Sequence, residues 1–435
     1  MSEAPAPPAP SLRERVLTAR QSTAGTETLK AAGLAAATLA ALGVQLVFTI
    51  VFARLLGATG YGSLAALIST FLILAVPGQA LQVAAARESA VGGLGEGGVL
   101  SATLTGWIER LAVALVAVTA GAILLREPLA AVMGVEEAWA AAATLPTGVL
   151  WLLLSIERGV LQGMRAYRAV GVSIIVEAVG RLGLGLLLVA ATTDVTGAYL
   201  GTPLSMLMTA VVLGVMLRRR LGAPAAGAAH RPLKDLVAGA WAPVIGLTLV
   251  AVLQNVDVIM VKHRFGGDTA GSYAAAAVAA KAIVWAAIGI GYYLVPEAAK
   301  HGDAGVDARG VLVRTLAIVA VLAVPMLAIF GVVPELLLRA AFGEELTEAS
   351  GSLIVLGGAM TLLAAAYLCV QYLLALGRSG FLALLGLVAV AEPLLLYHVG
   401  DTLLGFAGLV LGVQLAAAAG MLVLAARSRS RTAPG

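Results

Sequence analysis

The sequence predicts an all-α polytopic membrane protein of about twelve transmembrane helices, arranged as two parallel-repeat halves of six. Three observations carry that prediction: an apolar excess, the regular recurrence of apolar runs of membrane length, and an uneven distribution of basic residues between alternate loops. Of 435 residues, 60% are hydrophobic and only 12% are charged, against about 25% charged in a soluble domain. The excess is accommodated by exposing it to lipid.

A hydrocarbon core of about 30 Å takes about 20 residues of helix. Runs of that kind lie near 31–53, 62–83, 105–125, 139–161, 171–191, 197–217, 237–261, 272–295, 311–338, 352–376, 380–399 and 402–426. The run 311–338 is long and holds Pro325 and Pro334, so a kink or an interfacial end is expected there. Other spans also contain or end on proline, at positions 77, 146, 203, 243, 296 and 393, which membrane helices tolerate and which could supply bends. The spans leave a cytoplasmic N-terminal tail at 1–30, disordered over the Ala/Pro-rich Met1–Pro10, a first half at 31–217, a linker at 218–236, a second half at 237–426 and a cytoplasmic C-terminal tail at 427–435.

With the N-terminus placed in the cytoplasm, 20 of the 28 basic residues fall to inside segments, Arg158 among them. Five fall outside (Arg54, Arg126, Lys262, Arg264, Arg339), and three lie within spans (Arg110, Arg181, Lys281). The positive-inside rule then puts both termini in the cytoplasm and supports an even number of spans. The net charge of +4 is too small and scattered for a nucleic-acid partner. One cysteine, Cys369, excludes an intramolecular disulfide, and the four scattered histidines form no readable metal site.

The halves echo each other. Arg54-Leu-Leu-Gly-Ala-Thr-Gly60-Tyr61-Gly62 follows the first span, and Lys262-His-Arg-Phe-Gly-Gly-Asp-Thr-Ala-Gly271-Ser-Tyr273 follows the seventh: each is a basic residue, a Gly-rich turn and a tyrosine entering the next span. Leu161-Gln-Gly163-Met-Arg165 after the fourth span is echoed more weakly by Leu376-Gly377-Arg378 after the tenth. Both offsets are about 210 residues. Six spans per unit gives both halves the same orientation, a repeat about an axis along the membrane normal.

The same segments carry a family resemblance. Phe52-Ala-Arg54-Leu-Leu-Gly-Ala-Thr-Gly-Tyr61-Gly, Gly159-Val-Leu-Gln162-Gly163-Met-Arg-Ala-Tyr167, and Asn255-Val-Asp257-Val-Ile-Met-Val-Lys262-His-Arg-Phe with the following Ala-Gly271-Ser-Tyr273 resemble segments of Wzx-type polysaccharide flippases. These belong to the multidrug/oligosaccharidyl-lipid/polysaccharide (MOP) exporter superfamily. The resemblance implies two six-helix bundles in a V around a central cavity. It also implies a function, the movement of a polyprenyl-diphosphate-linked glycan from the inner to the outer leaflet of the cell membrane. No cofactor is implied, although coupling to H+ or Na+ is open. The expected partners are the glycan-lipid substrate, the bilayer and glycan-biosynthesis machinery, with the chain itself a monomer.

Ionisable groups inside spans are costly and therefore the first functional candidates. Arg181 in the fifth span has Glu177 four residues earlier on the same face. They form either an internal ion pair or a diphosphate-binding arginine with its resting partner, the planar fork of arginine suiting phosphate. Lys281 has no acid three or four residues away, so it is either a cavity-lining cation or a lysine that snorkels to the outer interface. Arg110, with Glu109, begins the third span and reaches either the interface or the cavity. Arg54 and Asp257, at the outer ends of equivalent spans, either pair across an outer gate or cap their own helices. Glu392, beside Pro393, is the candidate for ion coupling.

Two other functions compete with the flippase. A drug/cation antiporter of the same superfamily is disfavoured by the absence of Asp and Glu from residues 31–53. A membrane-embedded glycan-processing enzyme is disfavoured by the loops: 84–104 and 218–236 offer only Glu88, Glu96 and Asp235, and no nucleotide-binding glycine loop is present.

Overall fold

Backbone N–H and C=O groups find no partner in hydrocarbon, so apolar runs must close their hydrogen bonds within themselves, and this chain does so as helix. The computed structural model describes residues 12–192, 194–225, 227, 231–303 and 308–428. The expectations for Met1–Pro10, for His230 and for most of the C-terminal tail fall outside them. The described residues form α1 (Leu12–Ala90), α2 (Gly97–Leu124), α3 (Arg126–Met133), α4 (Ala138–Gly163), α5 (Tyr167–Thr192), α6 (Val195–Leu221), α7 (Leu233–Gly239), α8 (Trp241–Phe265), α9 (Gly267–Asp303), α10 (Arg309–Val332), α11 (Pro334–Phe342), α12 (Leu353–Ala375), α13 (Phe381–His398) and α14 (Leu403–Arg427). Residues 12–30, expected to be a tail, continue the first helix.

Eleven of these are long and apolar enough to cross a membrane, and the first, Gly33–Ala90, has 58 residues. At 1.5 Å per residue that is about 87 Å, nearly three bilayer cores. The helix breaks at Gly57, whose φ of 64° and ψ of −174° return the chain on itself. Its two arms are the first two spans, which makes twelve segments of that kind among the described residues. Only glycine adopts that conformation at no steric cost. Gly266, between α8 and α9, has nearly the same angles, φ 62° and ψ −171°, so the hinge recurs in the second half.

Helix partners recur as well. Gly171 of α5 lies against Ala37 of the first arm, and Gly246 of α8 against Phe381 of α13. Gly159 of α4 lies against Gln82 of the second arm, and Gly291 of α9 against Tyr367 of α12. In each case parallel spans of one half pack together, and the repeat expected from the motifs is present in three dimensions. The cores are separate: two clusters, around Trp107 and Phe52, fill the first half, while a third, around Tyr273 and Leu363, fills the second.

We call the end where the linker lies the linker face and the opposite end the distal face. The halves meet at the distal face, where Ala53, Ala58, Tyr61 and Ala65 join the second half's core. A Cβ on Gly62 would stand 3.0 Å from the backbone nitrogen of Gly271, so two glycines allow the backbones to touch. Thr59 donates to Asp268 across the seam. The linker is fastened to the first half: the Arg231 guanidinium pairs with Glu88, the Trp107 indole N–H donates to the Arg231 carbonyl at 2.7 Å, and Leu236 of α7 is buried in the first half's core. The long run at 311–338 resolves into two helices, with Pro334 as the first residue of α11, where its missing N–H costs nothing.

Candidate functional site

The second half contains a buried polar cluster. Asn255 and Asp257 project from α8, Tyr273 and Lys281 from α9, Glu392 from α13 and Gln414 from α14, and all six are at most 3% exposed. The Lys281 ammonium donates to Asn255 Oδ1 at 3.0 Å and lies within coulombic reach of Asp257. The Tyr273 hydroxyl donates to Asp257 Oδ2 at 3.1 Å. The Gln414 amide donates to the Leu253 carbonyl at 3.0 Å and to Glu392 Oε1 at 3.4 Å, and Glu392 in turn feels the Asp257 charge. Three oxygens, Asp257 Oδ1, Glu392 Oε2 and Gln414 Oε1, accept no hydrogen bond from the protein. Buried acceptors are rarely left so. With every group ionised, two carboxylates face one ammonium.

This geometry corrects two expectations. Lys281 does not line a cavity; it is inside the second bundle, with its partners on α8. Asp257 and Arg54 do not meet. The helix carrying Asp257 runs on to Phe265, which leaves the carboxyl two turns inside the membrane span. Arg54 is exposed at the distal face and donates to the Ala340 carbonyl of α11 at 2.7 Å, so it does bridge the halves, but onto another element.

In the first half, Glu177 pairs with Arg158 rather than with Arg181. Arg158 Nη2 is 3.7 Å from Glu177 Oε2, and both are buried. Arg158 also donates to the Ser173 hydroxyl and carbonyl at 3.0 Å each. Its assignment to an inside loop is therefore wrong: α4 continues to Gly163 and carries it within the bundle. Arg181 stacks over the Phe48 ring at 5.6 Å, and its Nε has no hydrogen-bond partner. Glu157, which the sequence reading overlooked, is 1% exposed with Oε2 unpartnered. The position of Glu157-Arg158 well inside an apolar run was the available signal. Arg110 is on the exposed face of α2.

At the linker face a cleft of about 520 Å³ opens between both arms of α1 and the α4–α5 turn. Arg165 at its rim has φ 58° and is the non-glycine residue with positive φ among those described. That conformation costs roughly 1–2 kcal/mol for an L-residue.

A family model described as "Polysaccharide biosynthesis protein" matches residues 30–300. The chain belongs to that family. No curated protein matches the family member by sequence. Among solved structures, an inward-facing multidrug resistance MATE family transporter of the MOP superfamily is similar, at 16% identity and TM-score 0.67 over 89% of this chain and 96% of that one. The lipid II flippase MurJ in an inward closed conformation is similar at 13% identity and TM-score 0.66, over 91% and 87%. An outward-facing MATE family transporter is similar at 12% identity and TM-score 0.60, over 91% and 94%. The family member thus has the fold of these transporters, a multi-pass bundle embedded in the bilayer.

Proposed function

We propose that the protein is a flippase that carries a polyprenyl-diphosphate-linked glycan from the inner to the outer leaflet of the cell membrane by alternating access. Membership of the polysaccharide biosynthesis family, on a chain folded as two bundles joined at one face, is the observation that carries this reading. The linker face is cytoplasmic, with both termini on that side, and the distal face is the outer one. The seam of Gly62 against Gly271 is then an outer closure, the state in which substrate is loaded from inside. Arg181, half-buried in the middle of α5, meets the diphosphate; the similarity to MurJ, whose named cargo is lipid II, supports a cargo of this class.

The buried cluster of the second half supplies coupling. Two carboxylates against one ammonium leave one negative charge, and uptake of one proton or Na+ at Asp257 and Glu392 cancels it. A charge-neutral interior is far cheaper to move through than a charged one. Depletion of the protein is expected to accumulate undelivered lipid-linked glycan on the inner leaflet, and Arg181→Ala is expected not to rescue it. Full rescue by Arg181→Ala would remove the diphosphate role. Glu392→Gln is expected to retain the fold and lose ion dependence of transport in vesicles; undiminished ion dependence would discard the coupling role.

A second reading, a drug/cation antiporter, is favoured by the MATE similarity together with the cation-poor cluster. Ion-driven efflux of small organic cations from vesicles, with no effect of depletion on glycan transfer, would select it.

A further inference from the structure

The turns that close α4 and α12 are the same turn. Arg165 N–H donates to the Gln162 carbonyl at 2.9 Å and Ala166 N–H to that of Leu161 at 2.8 Å; Gly377 N–H donates to the Leu374 carbonyl at 3.0 Å and Arg378 N–H to that of Leu373 at 2.9 Å. The repeat therefore aligns Arg165 with Gly377, not with Arg378 as the sequence echo suggested. Both aligned residues are left-handed, φ 58° and 66°. The second half fills the position with the residue that suits it. The first half holds an arginine there against its conformational preference. Strain retained at one of two equivalent turns points to what that side chain faces.

Arg165 faces the linker-face cleft of about 520 Å³. The cleft has two kinds of wall. Leu34, Ala86 and Ala90, from the two arms of α1, make one side apolar, while Gln162, Arg165 and Tyr167 make the other polar and cationic. Such a lining fits an amphiphile with a phosphorylated head: the guanidinium fork takes two phosphate oxygens, the amide and phenol supply further polar contacts, and the apolar wall takes the start of a hydrocarbon chain. The second half's Gly377 provides no side chain to do the same, so the site belongs to one half only.

We propose that this cleft is a binding site for the phosphate head of a membrane lipid, and that Arg165 is kept in its left-handed conformation to serve it. The site rests on the flippase reading only for the identity of a polyprenyl carrier as one ligand; its binding is measured without transport. The separation from Arg181, which lies in the middle of α5, makes it a station at the linker face rather than a part of the central path.

The test compares full-length wild type, Arg165→Gly and Arg165→Lys in a phosphate-free maltoside detergent. Binding of polyprenyl diphosphate, of phosphatidylglycerol and of inorganic diphosphate is measured, with thermal unfolding in the absence of each. Wild type is expected to bind a phosphorylated lipid, Arg165→Gly to bind it at least tenfold more weakly while unfolding at the same or a higher temperature, and Arg165→Lys to keep part of the affinity. Tighter binding of the polyprenyl diphosphate assigns the site to the cargo, and equal binding of both lipids assigns it to the bulk membrane; each supports the site. Three results overturn it: affinity in Arg165→Gly within twofold of wild type, a lower unfolding temperature for Arg165→Gly in the phosphate-free detergent, which would make the arginine structural, or binding of inorganic diphosphate as tight as that of either lipid. Loss of glycan transfer with lipid binding intact would bear on the flippase reading and leave this site standing.

Discussion

At the scale of single residues, the buried charges are held by partners on other helices. Lys281 is 3% exposed, donates to Asn255 and faces the Asp257 charge across the cluster, so its removal takes away a cation that compensates buried carboxylates. Lys281→Met is expected to cost about 3–5 kcal/mol, and Lys281→Met with Asp257→Asn much less, because an uncompensated buried charge is worse than none. Denaturant titration of the two variants in detergent checks this; equal losses would mean that the two side chains act independently. The partnerships explain what was legible in the sequence. That Glu177, Lys281 and Glu392 lie inside the bundles and need partners there follows from their cost inside a membrane. Which partner each has does not, because spacing along one helix reports only that helix: Glu177 was matched to Arg181 one turn away, whereas Arg158 reaches it from α4. Asp257 falls near a span end in the sequence because the run 237–261 stops a full turn before α8 does, whereas Arg158 lies inside the run 139–161 and its count among the inside segments has no such cause.

At the scale of elements, glycines decide which helices approach. A Cβ on Gly271 would strike the Ala58 carbonyl in the other half, and backbone cannot swing aside as a side chain does. Gly271→Ala is expected to destabilise the distal closure by about 1–3 kcal/mol, the range for overpacking, while Gly289→Ala, with nothing within 4 Å, is expected to be neutral. Accessibility of a reporter cysteine at Ala65, in a Cys369→Ala background, measures the closure; an unchanged labelling rate in Gly271→Ala would show that the seam tolerates the methyl. The short helices α3 and α11 reinforce the closure reciprocally. Gly134, ending α3, lies against the His263 backbone of the second half, and Ala340 of α11 accepts from Arg54 of the first. The sequence indicates the repeated Gly-rich turns but not these clasps, since α11 merges with the end of the apolar run 311–338 and α3 lies in the loop after the run 105–125.

At the scale of the whole molecule, the two halves hold separate cores and share a distal seam, so opening that seam disturbs little of either core. Cysteines replacing Thr59 and Asp268, whose side chains meet across it, are expected to cross-link on oxidation and to stop transport reversibly. The chain's one native thiol, Cys369, is buried and can be replaced beforehand. Transport that continues at the unlinked rate would mean that the distal ends need not part. The one-residue hinge at Gly57 also bears on how the protein is made. A turn without a loop puts no stretch of polar chain between the first span and the second, and Gly266 repeats the arrangement between the seventh and eighth. Each pair is therefore expected to enter the bilayer as one bent hairpin, the first a segment of 58 residues, and stable insertion of chains cut at Gly57 would show instead that a single crossing suffices.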